Sequence, residues 1–277
     1  MAKAELFQKD IPKDERIFYY ESEEDDPIET KEQANKIEVG LPKDYQFIPK
    51  NPFTRLYSSI LYRCFKLFGQ YYERGYWQAR FYGREKLKKA RGQGYVIYAN
   101  HTNPFHDVFG PALAADRRIF TIISPVNLLV PGIGKYLPLI GGLPLGKSKA
   151  EKTAFNAAVD KRLSQKNCLV IYPEAHVWPF ATNIRKFPAG DRSFKYAARN
   201  NLPIFTMTTT YHKRKDKKHG DLPRMDVYID GPFFPDPEQT EADNRAMLAQ
   251  QAYDSMQKMS KHNDYEYFRY IKRRQRH

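Results

Sequence analysis

Fifty residues of mixed polar character precede the first strong apolar period of the chain. They include an acidic cluster at Glu23–Asp26 and read as a mostly irregular arm, with a short helix near Glu29–Ile37. At Asn51-Pro52 the pattern changes. Proline suits the first position of a helix, where its missing N–H has no partner to lose. Leu56, Ile60, Leu61, Phe65 and Phe68 then recur at three- and four-residue spacing, interleaved with Arg63 and Lys66 and preceded by Arg55. This spacing predicts an amphipathic helix with a basic polar face. A second aromatic stretch follows Gly69: Tyr71, Tyr72, Tyr76, Trp77, Phe81 and Tyr82. Residues 51–82 are therefore read in two ways. They form either a pair of helices lying in a membrane interface or a helical hairpin packed on the domain.

Beyond residue 83 short β-rich runs alternate with helical periods. Tyr95–Ala99 reads as a buried strand that delivers Asn100 and His101 at its end. A helix is expected from Phe109 to Ala115 and a second strand at Ile119–Ile123. Further on come a helix at Lys149–Gln165, a strand at Cys168–Tyr172 running into Pro173-Glu174, a helix at Asp191–Asn200, and strands at Leu202–Thr209 and Met225–Ile229. This alternation predicts an α/β fold, a single mostly parallel sheet flanked by helices. Sites in such sheets gather at the C-terminal ends of strands, where His101 and Glu174 both fall.

Residues 124–146 are apolar but interrupted by Pro125, Pro131, Pro138 and Pro144 and by five glycines, which excludes a regular helix. They read as a hydrophobic loop that dips toward lipid or lines a channel for an apolar chain, or else as a buried connection. A polar helix is expected over Gln239–Lys261. A basic aromatic tail follows it, suited to an anionic membrane or simply solvated. The expected organisation is a polar arm (1–50), amphipathic docking helices (51–82), an α/β core (83–235) and a C-terminal helix with a basic tail (236–277).

Composition narrows the partners without choosing one. Lys and Arg number 46 against 32 Asp and Glu, a formal charge of +14. Such a surface attracts polyanions, whether nucleic acid, anionic lipid or phosphorylated small molecules. The 20 Tyr and 18 Phe suit both a membrane interface and stacking on bases. No zinc-finger or ribonucleoprotein-type motif is present, so no nucleic acid is expected as partner. Two cysteines, Cys64 and Cys168, are too few for a disulfide framework and point to a reducing compartment. The first ten residues lack the apolar region of a signal peptide, and no run of about 18 apolar residues predicts a spanning helix.

Two polar clusters could carry chemistry. In Asn100-His101-Thr102-Asn103-Pro104-Phe105-His106-Asp107, a histidine at a strand end has a carboxylate six residues on. Such a carboxylate fixes the imidazole tautomer and steadies the imidazolium as the ring takes a proton from a substrate hydroxyl. A solvated or structural turn is the plainer alternative. In Tyr172-Pro173-Glu174-Ala175-His176, with Arg185 and Lys186 downstream, a carboxylate beside bases suits a polyol bearing a phosphate. There is no Gly-x-Ser-x-Gly elbow for a serine hydrolase and no Cys/His spacing for a metal.

Taken in order, the motifs resemble the glycerolipid acyltransferases related to 1-acylglycerol-3-phosphate (lysophosphatidic acid) acyltransferase. The matches are Asn100-His101…Asp107, Tyr172-Pro173-Glu174, Phe187-Pro188-Ala189-Gly190 and the Pro-led strand Leu202-Pro203-Ile204-Phe205, and the resemblance covers roughly residues 51–232. The chain departs from that pattern at three places. Five residues, not four, separate His101 from Asp107, so that His106 stands where the usual Asp falls. Ala175-His176-Val177-Trp178 replaces the usual Gly-Thr-Arg-Ser. Lys147, after Gly141-Gly142-Leu143-Pro144-Leu145-Gly146, stands near the family's other arginine.

The resemblance implies transfer of a fatty-acyl group from acyl-CoA or acyl-carrier protein to a lysophospholipid or glycerol-phosphate-type hydroxyl. His101 would be the base and Asp107 its orienter. Asn100, Glu174, Lys147, Arg185 and Lys186 would bind substrate, with no cofactor and no metal. It also implies a peripheral place on the cytoplasmic face of a membrane, held to anionic lipid by residues 51–82. The rival expectations are a lipid-binding member that has lost catalysis and, further off, a basic nucleic-acid-binding protein.

Overall fold

The computed structural model describes residues 5–7, 10–23, 27, 40–42, 44–90, 92–216 and 218–273. The helix expected near Glu29–Ile37 lies outside them. In chain order the strands and α-helices are β1 (Ile17–Tyr20), α1 (Pro52–Tyr71), β2 (Arg80–Tyr82), β3 (Tyr95–Ala99), α2 (Pro104–Ala114), β4 (Ile119–Ile123), β5 (Gly142–Pro144), α3 (Lys149–Ser164), β6 (Cys168–Ile171), α4 (Lys195–Arg199), β7 (Ile204–His212), β8 (Arg224–Phe233), α5 (Glu241–Ser260) and β9 (Arg269–Lys272).

Seven strands form one sheet in the order β2-β8-β7-β3-β6-β4-β5, parallel throughout except for the β7–β8 pair. The fold is thus the mixed α/β architecture expected from the alternation. Every residue of β3 and β6 is buried, which is why both read as unbroken apolar runs. Successive side chains point to opposite faces of a strand. Ile97, Ala99, Val170 and Met207 accordingly meet Tyr62 of α1 and Ala112 of α2 on one face. Val96, Tyr98, Leu169 and Ile204 meet Phe155 and Val159 of α3 and Leu248 of α5 on the other. Helix α3 starts on a capping box, Ser148 with Glu151, and α5 on the Thr240 hydroxyl.

Four elements differ from the sequence reading, each for a local reason. The second helix of the expected pair is a single π turn, Tyr72–Tyr76, because the chain leaves the helix at buried Trp77 and turns at Gln78, whose φ is +51°. Arg80–Tyr82 then joins the sheet edge beside β8 as β2. The proline-broken stretch 124–146 makes two short 3-10 turns and the edge strand β5, and it leaves Leu129, Val130 and Ile133 exposed, as an open hydrophobic loop does and a buried connection does not. Within the described part of the tail the aromatic side chains pack onto the domain, while Arg269, Lys272 and Arg273 stay exposed. Tyr267 and Phe268 are buried, and β9 pairs in parallel with β1 of the arm, so a separate two-stranded sheet joins the two ends of the described chain.

The apolar period of α1 also divides. Tyr62 and Gly69 face the domain and Phe65 stacks on Phe109 of α2. Phe53, Leu56, Ile60, Leu67 and Phe68 face outward. Gly69 is required where it stands, since an added Cβ would meet the Phe109 ring at 2.6 Å. Among the described residues, no helix is long and apolar enough to cross a membrane.

Candidate active site

The register of β3 and β6 builds the site. Tyr98 pairs with Ile171, and His101 and Glu174 each follow three residues later, so they leave adjacent strand ends side by side. The connection after β3 passes through α2 on one face of the sheet, and that after β6 passes through Tyr196 and Ala197 of α4 on the other, so the two chain segments leave these adjacent strand ends toward opposite faces.

Three links fix His101. Its backbone N–H donates to Glu174 Oε2 at 3.0 Å, its carbonyl accepts from Trp178 N–H at 2.8 Å, and its ring stacks on Tyr172 with centroids 4.6 Å apart. Nδ1 lies 2.6 Å from Asp107 Oδ2. The imidazole is 20% exposed and the carboxylate only 5%, so the pair sits at a mouth with the acid inward. Nε2 is then the ring nitrogen left to take a proton from outside.

The five-residue spacing has a simple cause. Asn103 is extended and caps α2, its Oδ1 accepting from the N–H groups of Phe105 and His106. Asp107 is the fourth helical residue and its N–H bonds the Asn103 carbonyl at 2.8 Å. The extra residue is thus taken up in the extended lead-in, and Asp107 faces back to His101. His106, one residue earlier on the helix, turns away from His101. Its Nδ1 is 2.8 Å from Glu73 Oε2 and its Nε2 3.0 Å from Thr209 Oγ1, with both ionisable side chains wholly buried. Burial opposes a charge on His106. The charge and hydrogen bond of Glu73, with Asp107 nearby, outweigh it and raise the imidazole above its ordinary value.

Of the other expected site residues, Asn100 looks inward. Its amide donates to the Thr209 carbonyl at 3.0 Å and accepts from the Thr209 N–H at 2.8 Å, stapling β3 to β7. Glu174 is buried too, and its two oxygens take the backbone N–H groups of His101 and Arg185, the latter at 2.7 Å. Burial pushes its carboxyl up to about 7, against the pull of those two donors and of His101 and Arg185. The following Ala175 holds a left-handed φ of +66°, where a glycine would sit without strain.

Arg185 does not reach solvent. Its guanidinium lies over Trp178 at 4.1 Å and Tyr20 at 5.1 Å, with Tyr270 at 5.8 Å. Lys186 and Lys147 are exposed, but Lys147 stands beyond β5, three strands from β3, roughly 14 Å at ordinary strand spacing. The sequence reading missed Glu73, Thr209 and the Tyr20–Tyr270 cover of Arg185. One signal was available: Glu73 is the lone acidic residue between Asn51 and Tyr82. Among the described residues, no group of three or more His, Cys, Asp or Glu side chains is placed to hold a metal ion.

Comparison with known proteins bears on the family and the fold. Residues 78–210 match the family model Acyltransferase, a span that holds His101, Asp107 and Glu174. The chain is similar in fold to the crystal structure of the 1-acyl-sn-glycerophosphate (LPA) acyltransferase PlsC from Thermotoga maritima. The TM-score is 0.55 and the identity 13%, over 79% of this chain and 87% of that one. No curated protein sequence matches significantly.

Proposed function

We propose that the protein, whose residues 78–210 match the Acyltransferase family model, moves a fatty-acyl group from an acyl thioester, acyl-CoA or acyl-carrier protein, to the hydroxyl of a lysophospholipid or glycerol-phosphate-type acceptor. The observation that carries the reading is the 2.6 Å contact of His101 Nδ1 with a buried Asp107 carboxylate at the mouth of the crevice. Asp107 holds the tautomer with the proton on Nδ1. Nε2 removes the acceptor's hydroxyl proton, and the oxygen attacks the thioester carbonyl as the thiolate leaves. Asp107 also stabilises the imidazolium that forms. Glu174 holds the His101 backbone in register, and Asn100 does the same for the strand end beneath it.

The acceptor and the acyl chain come from a lipid surface in this reading. Phe53, Leu56, Ile60, Leu67, Phe68 and Tyr71 of α1 are exposed together with Leu129, Val130 and Ile133 of the loop packed against it. The +14 charge favours an anionic membrane. This is a peripheral attachment, on the cytoplasmic face in our reading, that brings a lysolipid headgroup to His101.

The test offers labelled acyl-CoA or acyl-carrier protein to a panel of lysophospholipids in liposomes, with His101→Ala alongside. Transfer lost in the variant supports the reading and names the acceptor. Transfer undiminished in the variant removes His101 as base. A folded, vesicle-bound protein without transfer to any acceptor points to a lipid-binding member of the family.

A further inference from the structure

Beneath the His101–Asp107 dyad lies a second histidine–carboxylate pair that the acyl-transfer mechanism does not use. Glu73 sits in the π turn that ends α1, and its backbone carbonyl accepts from Ala79 N–H at 2.8 Å. Its carboxylate meets His106, and His106 meets the Thr209 hydroxyl. Thr209 in turn exchanges two hydrogen bonds with Asn100. The chain of contacts therefore ends on the sequence neighbours of both dyad members, Asn100 before His101 and His106 before Asp107.

The Asp107 side chain has little else to place it. Oδ2 is on His101, and Oδ1 is buried without a hydrogen-bond partner. The carboxylate's position is therefore set by where the first turn of α2 sits. Five contacts fix that turn: the Asn103 cap, the Tyr172 hydroxyl donating to the Asp107 carbonyl at 2.6 Å, Glu73 and Thr209 on the two nitrogens of His106, and Gly110 beneath the His106 ring. A Cβ at Gly110 would lie 2.5 Å from His106 Cε1, so ring and helix are in direct contact.

We propose that Glu73 and His106 are positioning residues: their buried pair sets the rotation and height of the first turn of α2, and through it holds the Asp107 carboxylate on His101, coupling the dyad to the seat of α1. The inference rests on the reading of His101 as general base. An apolar pair of similar volume often stabilises a core as well as a buried ion pair does. A purely structural role is therefore separable from a positioning one.

The experiment uses the full chain in detergent or vesicles, comparing wild type with Glu73→Gln, the double variant Glu73→Leu/His106→Leu, and Asp107→Asn. Circular dichroism and thermal unfolding establish the fold. The ionisable groups around the two imidazoles are Glu73, Asp107 and Tyr172 in contact with the rings, Glu174 on the His101 backbone, and Tyr211 on the neighbouring Thr102 hydroxyl. The titration of the His101 ring is read by NMR, assigned with His101→Ala. Acyl transfer supplies kcat and KM.

In both Glu73 variants, the His101 midpoint moves toward that of Asp107→Asn. kcat falls about 100-fold, as for a catalytic group displaced by roughly 1 Å, with KM within twofold of wild type. A folded double variant with wild-type His101 titration and kcat, differing only in Tm, overturns the proposal. If that variant does not fold, Glu73→Gln decides by the same two readouts. If wild type transfers no acyl group to any acceptor, the functional reading falls while the titration still decides the positioning claim.

Discussion

Two histidines five residues apart each present Nδ1 to a carboxylate, His101 to Asp107 at 2.6 Å and His106 to Glu73 at 2.8 Å. One ring is 20% exposed, the other not at all. Geometry alone does not separate them; burial does. A histidine at a mouth can exchange its proton with a substrate. A histidine sealed between a glutamate and a threonine can only hold its neighbours. In the proposed reading, the same residue pair serves chemistry at the crevice and placement beneath it.

The sharpest way to break the comparison is to remove each ring. His101→Ala should lower kcat by about 10²–10⁴, the usual worth of a general base, with little change in Tm. His106→Leu should act the other way round on stability, costing about 3–5 kcal/mol by chemical denaturation, because it strands the Glu73 carboxylate without a partner in the core. Adding Leu at Glu73 should recover part of that loss.

A gentler perturbation is Gly110→Ala, which presses on the buried ring and not the exposed one. Urea unfolding should register about 1–3 kcal/mol for the overpacking.

pH sharpens the contrast further. His106 is raised in the folded state, so its stabilisation is complete below about 6.5 and is lost as pH rises through its folded value. Glu174, raised to about 7, binds its proton more tightly folded than unfolded. Its contribution therefore also falls as pH climbs from the ordinary carboxylate range through 7, by up to about 3 kcal/mol. Both slopes share one sign. Unfolding free energy should decline between pH 5 and 8, and less so in Glu174→Gln.

The smallest effect on the fold is expected at Leu67→Glu, on the outward face of α1. Tm should stay within about 2 °C, while partitioning onto anionic vesicles weakens by roughly 1.5–3 kcal/mol.

The core strands were legible because β3, β6 and β7 are buried along their whole length and leave apolar or β-branched runs. Asn100, His101 and Glu174 could be placed at strand ends because they follow such runs directly. β2 and β5, three residues each at the sheet edges, carry too little pattern to stand out. β1 and β9 exist only because they find each other across the length of the chain. The outward turn of half the apolar period of α1 is invisible to spacing, since the same residues satisfy a core or a lipid surface. Arg185 was assigned to substrate from its charge, and only the fold reveals the aromatic side chains around it.

The pairing of β1 with β9 sets an order of assembly during synthesis. Ile17 waits for Arg269 and Tyr20 for Lys272, so the arm has no strand to join until nearly the whole described chain has emerged. Tyr20 and Tyr270 flank the guanidinium of Arg185, whose backbone Glu174 holds. The seven-stranded sheet and the His101–Asp107 pair lie between residues 80 and 233 and can form first. The ribosome thus delivers both members of the dyad before Tyr270, the last side chain of the Arg185 cover.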